Sequence, residues 1–280
     1  MSELAAGWRV EVALPLAGVA TVYLIGWTRL ALRSPVRCRG RLIGRLALAL
    51  AGLTALAVAL LALHDAAHES FAAHMAQHLL LIAVAVPTLL LADPLPAGLW
   101  SLPASARRGA RGDSAPRAPL RRAGCALTRL PVAWTLHAAA VWLWHVPVAY
   151  DAALASGLLH DAEHLVFVGT AALFWWPVID PAPRLTAAPL GWRIVYLVLG
   201  AFQSAALGVV LVAAPRPLYA YGAIDDQALG GVLMWGVGGA VDMAAVLVLV
   251  HRFLTAGERG TRLPSLTASG GQGTMSRFDT

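Results

Sequence analysis

Seven stretches of predominantly apolar residues succeed one another along this chain, separated by shorter segments where charge collects. They run roughly over 11–31, 42–63, 73–92, 130–150, 162–180, 193–214 and 228–252. Each reaches the ~20 residues that a helix needs to cross a bilayer core. Spans three and five open on polar residues and turn apolar beyond them. No repeat of fixed period is visible. The pattern predicts an all-α, integral membrane seven-helix bundle over residues 1–256, interrupted by an Arg-rich linker at about 94–129. From 257 to 280 the chain is rich in Gly, Ser and Thr and is expected to be a disordered tail.

Composition agrees with the pattern. Hydrophobic residues make up 59% and charged ones only 13%, far from a soluble domain. The net charge of +6 would suggest nucleic acid in a soluble protein. Here it comes from juxtamembrane Arg clusters, so no nucleic-acid partner is expected. Arg33, Arg37, Arg39 and Arg41 fill the first loop, and Arg107, Arg108, Arg111, Arg117, Arg121 and Arg122 the third. Segments 64–72 and 151–161 carry no Arg. By the positive-inside rule the N-terminus is outside and the C-terminus cytoplasmic. There is no Lys, and the Arg- and Ala-rich bias looks like a GC-rich bacterial genome, which places the chain in a bacterial plasma membrane. Cys38 and Cys125 lie in the Arg-rich loops, where no disulfide is expected.

The polar residues on the outer side carry the chemistry. Three His-x-x-x-His pairs occur, at His64/His68, His74/His78 and His160/His164. A spacing of four puts both imidazoles on one helix face, one turn apart, which suits two ligands to a single metal ion. With His145 near the outer end of span four, seven of the nine histidines converge on that side. The bland alternative is that they are amphipathic anchors at the membrane interface, and position alone places them there. Imidazole suits zinc, copper, iron and nickel, and the thioether of Met75 tilts the choice toward copper. Deeper in the membrane, His137 and Asp242 are costly unless paired or hydrated. They read as an ion pair or a proton relay, or else as a protonated Asp242 bonded to a neighbouring helix.

Several stretches, taken in order, resemble one family. They are His74-Met-Ala-Gln-His78, Trp144-His-Val-Pro-Val-Ala-Tyr-Asp151, Leu159-His-Asp-Ala-Glu-His164, Trp175-Trp-Pro177, Pro217-Leu-Tyr219, Asp226-Gln227 and Met234-Trp235. The chain is similar, over about residues 12–254, to the multi-span cytochrome c oxidase assembly factors of the CtaG type associated with caa-type oxidases. The resemblance implies a non-enzymatic role in maturing the terminal oxidase, with copper as cofactor. The partners it implies are oxidase subunits or a periplasmic copper donor. It places His74, Gln77, His78, His145, Tyr150, Asp151, His160, Glu163 and His164 at motif positions. His64 and His68 rest on spacing and topology alone.

Two other classes stay open at this stage. A membrane b-type cytochrome needs two histidines on different helices at matching depth. A metal or proton-coupled transporter usually sets its site near the midplane. Zinc and haem therefore stand beside copper as alternatives. No Ser-His-Asp order, phosphate loop or His-Glu-x-x-His motif is present, so an enzyme is not expected.

Overall fold

The computed structural model describes residues 10–111, 117–185 and 188–262, which are helical with no strand among them. Apolar runs become helices α1 (Val10–Leu32) and α2 (Val36–Ala62), then, after a short α3 (His64–Glu69), α4 (Phe71–Leu91). Three short helices follow: α5 (Pro94–Ser101), α6 (Ala104–Arg111) and α7 (Arg117–Leu127). The remainder is α8 (Leu130–Trp144), α9 (Pro147–Ala155), α10 (Gly157–Ile179), α11 (Leu190–Ala213) and α12 (Ile224–Ala256). The helix that ends α12, Gly239–Arg262, runs past Ala256, and the rest of the expected tail lies outside the described residues. Six of these helices are long and apolar enough to cross a membrane, or seven if α8 and α9 count as one bent span.

Span four is where the expectation needs correcting. A single helix over 130–150 is not formed: α8 stops at Trp144, and α9 departs from it at 72°. Pro147 lacks the N–H and the conformational freedom to continue α8, and it is pre-set instead for the first turn of a new helix. The segment expected as a linker also holds more structure than its composition suggests. Arg29 donates to the Ser101 carbonyl at 2.7 Å, and Arg107 stacks over the Trp100 ring at 4.1 Å. Helix α5 lies on α1 at Gly26, where an added Cβ would sit 1.8 Å from the Ala97 carbonyl oxygen.

Helices α4, α10, α8, α11 and α12 each pack on the next and close a ring around a narrow cavity. Helix α2 backs α4 from outside, and α1 lies outermost. The polarity of this bundle is inverted relative to a soluble domain. Leu14, Leu158, Leu165 and Phe202 face outward at 66–82% exposure. His74, Gln77, His78, His137, His145, His160, Glu163, His164, Gln203 and Gln227 are buried. Apolar outer faces with polar groups turned inward are what hydrocarbon surroundings require. Trp175 is buried in the ring and donates to the Ile82 carbonyl at 3.0 Å. It meets α4 within a π-helical stretch, Leu80–Ala85, where the wider turn leaves a carbonyl needing a donor.

At the end of α4 remote from its histidines, Asp93 ties three elements together. It pairs with Arg45 of α2 at 2.6 Å and accepts from the Ala182 backbone N–H at 2.9 Å. This clasp fixes the depth of α4, and hence where His74 and His78 come to lie.

Candidate metal centre

Helix α4 begins with a built cap. Ser70 is extended and its hydroxyl accepts from the Ala73 N–H, the usual N-cap arrangement. Asp226, from the start of α12, adds a second cap: it accepts from Ser70 Oγ at 2.8 Å, Phe71 N–H at 2.6 Å and Ala72 N–H at 3.3 Å. Four and eight residues past the cap, His74 and His78 fall on the face toward α10. Their Nε2 atoms lie 3.0 Å apart. From α10, the Glu163 carboxylate approaches His74 Nε2 at 3.8 Å and His78 Nε2 at 3.7 Å. His160, one helical turn before Glu163, completes a group of four whose ligand atoms all lie within 4.8 Å of one another.

This quartet is buried inside the bundle and is not a set of exposed anchors on its surface. His74, His160 and Glu163 are 0% exposed and His78 is 4% exposed. Two features cover them. Helix α3 folds over the start of α4 because Ser70 breaks the helical path. The loop 214–223 closes from the other side, latched at four points. Tyr219 donates to the His145 carbonyl at 2.9 Å, and Gln227 accepts from the Leu218 N–H at 2.7 Å. Asp151 accepts from the Ala220 N–H at 3.1 Å, and the Tyr221 hydroxyl donates to the Ala67 carbonyl. Phe71, Tyr150 and Tyr219 stack beneath this loop with centroids 4.3–5.4 Å apart.

The partners settle two tautomers. Tyr221 spends its one hydroxyl proton on Ala67, so at its 3.1 Å contact with His74 the ring Nδ1–H must donate. His74 Nε2 then holds a lone pair aimed at the quartet. His145 Nδ1 lies 2.7 Å from the Val141 carbonyl, which can only accept, so its Nε2 is likewise unprotonated. That nitrogen faces Met75 Sδ at 3.3 Å. Burial pushes the Tyr221 phenol up to about 12 and raises Tyr219 as well, with nearby carboxylates adding to the shift, so both remain donors at neutral pH.

The remaining sequence candidates separate into four groups. His164 is buried beside the quartet, its ring 4.3 Å from that of His160 and 5.4 Å from that of His78. His64 and His68 group with His160 on the α3 side, away from His74 and His78. Gln77, Tyr150 and Asp151 act structurally: Gln77 donates to the Ala59 carbonyl of α2 at 2.8 Å, and the other two support the covering loop. His137 and Asp242 line the cavity together, but they form no ion pair. His137 Nδ1 instead meets Thr170 Oγ1 at 3.3 Å. The caps and latches made by Asp226 and Gln227 were not assigned from sequence, and only their place in the motif order marked them.

The donor set fits a metal ion. Neither Glu163 oxygen has a hydrogen bond, although the side chain is fully buried. A carboxylate so placed is expensive without a compensating cation. Ligand nitrogens bound tetrahedrally at 2.0–2.1 Å lie about 3.3 Å apart, a value bracketed by the 3.0 and 3.7–3.8 Å separations here.

Fold and site together define a multi-span helical protein whose apolar outer faces enclose a buried histidine–glutamate cluster. The chain belongs to the cytochrome c oxidase caa3 assembly factor family (Caa3_CtaG), whose family model matches residues 21–256. Among curated proteins and solved structures, none matches it significantly.

Proposed function

We propose that this chain is a non-catalytic assembly factor in the bacterial plasma membrane that holds copper at His74, His78, His160 and Glu163 and aids maturation of the oxidase's metal centres. The observation that carries this reading is the convergence of three buried histidines on a buried carboxylate with no hydrogen bond. Bound copper would supply a positive charge to Glu163 and a Lewis-acidic partner to the imidazole lone pairs. His74 is held in the ligating tautomer by Tyr221, while the aromatic layer and covering loop exclude water. His145 and Met75 offer an adjoining nitrogen–thioether pair, which favours copper over zinc. A haem is disfavoured by space, because the cavity lined by His78 and His145 is only about 60 Å³.

The positive-inside rule sets the histidine end outside, where oxidase subunits or a periplasmic copper donor would meet it. A transporter is the second reading, favoured by the cavity that continues from His78 and His145 to His137 and Asp242.

Deleting the gene tests the assignment. The oxidase should lose activity and copper content, and a His78→Ala copy should not restore them. Full activity with full copper occupancy in the deletion strain would overturn it.

A further inference from the structure

The buried quartet offers no open side to solvent, so an ion reaching it needs a route. We propose that His64, His68 and His160 form a second, outer metal site through which copper enters the buried centre, with His160 belonging to both. The inference rests on the reading of the buried centre as a copper site.

The local structure explains why these three meet. His64 and His68 share one face of α3, one turn apart, and the extended Ser70 turns α3 back over α10. Their rings are 4.6 Å apart, and they lie 5.6 and 5.0 Å from the His160 ring. One ligand atom from each falls within 4.8 Å of the others. On the inner side, His160 lies 4.9 Å from His74, centroid to centroid. Burial rises in order along this line: His68 is exposed, His64 half-buried and His160 buried.

The chemistry of the two groups differs in the sense that a handover requires. Three imidazoles at a surface leave a coordination position open to water or to a donor's ligand, as three-ligand sites do. The inner group adds a carboxylate, a fourth ligand and full exclusion of water. Asp65 and Glu69 on α3, both exposed, and Asp161 beside His160 set negative charge around the outer group, which draws in a cation. Passage is ligand exchange alone. Copper(I) keeps its oxidation state, and each incoming nitrogen or oxygen replaces one outgoing donor.

An entry site lowers the barrier in both directions and leaves the equilibrium unchanged, which separates it from a ligand of the resident centre. The test uses the full chain in detergent, with copper(I) supplied as its bicinchoninate complex and later withdrawn by excess chelator. In His64→Ala/His68→Ala, loading and removal of the buried centre should both slow by about tenfold or more, with the affinity of that centre unchanged. His64→Gln/His68→Gln, which keeps polar side chains on α3, should behave alike. Parental rates in both variants would overturn the proposal. So would normal loading with faster removal, which would make His64 and His68 ligands of the buried centre. A parent chain that binds no copper(I) would overturn the buried-centre reading itself, and the entry route with it.

Discussion

Tyr221 holds the Nδ1–H of His74 at 3.1 Å while giving its own proton to the backbone of α3. One phenol thus ties the covering loop to the roof helix and orients an imidazole of the buried cluster. Groups that fix a ligating histidine through its other nitrogen commonly govern metal affinity about as much as 10–100-fold. Tyr221→Phe should therefore weaken copper binding by one to two orders of magnitude by this measure, without unfolding the bundle. Chelator competition on the purified variant, with circular dichroism as the folding control, checks it. Parental affinity would show that Tyr221 does not orient the ligand.

The same phenol predicts an alkaline limit. Its value is raised from an ordinary 10.0 to about 12 by burial. The protonated form is thus favoured in the closed state. The stability this contributes is complete below pH 10 and is lost as pH rises through about 12. Phenolate absorbance should appear in that window together with faster release of bound metal, and Tyr221→Phe should release metal without that dependence.

Glu163 separates metal binding from folding. Its oxygens lack hydrogen bonds, so in the metal-free protein Glu163→Gln should melt no lower than the parent. With copper at about a hundred times the dissociation constant, the parent should gain roughly 2.7 kcal/mol and the variant much less. A large loss of stability in the metal-free variant would mean that the carboxylate serves packing alone.

Helix α12 meets α4 at Gly230, where an added Cβ would lie 2.4 Å from Phe71 Cδ1 and 3.0 Å from Met75 Cγ. Gly230→Ala should destabilise the fold by about 1–3 kcal/mol and perturb the centre. Gly236→Ala, with open space around it, is the matched control. Thermal melts of the two variants should diverge, and equal melts would contradict the close packing.

The spans were readable because each is a long apolar run, but apolarity alone hides the 72° break at Pro147 in span four. The three pairs of histidines were equally visible, since a spacing of four survives any tertiary arrangement. Their depth was not. It depends on α3 and the loop around Tyr219 folding over the start of α4, and no local pattern announces that closure. Spacing and topology put His64 and His68 at the rim of the cluster, and only the turn at Ser70 shows that they meet it at His160. The partners of Gln77 and Asp151, the Ala59 carbonyl and the Ala220 N–H, are visible only in the folded chain.

The most direct test is X-ray absorption at the copper edge on the protein loaded with one equivalent of copper(I), alongside His78→Ala and Glu163→Gln. Binding should be stoichiometric, with a first shell of imidazole nitrogens near 2.0 Å. Fewer such neighbours are expected in His78→Ala, and a lost oxygen contribution in Glu163→Gln. A parent that retains no copper, or an identical first shell in all three proteins, would contradict a copper centre at these residues.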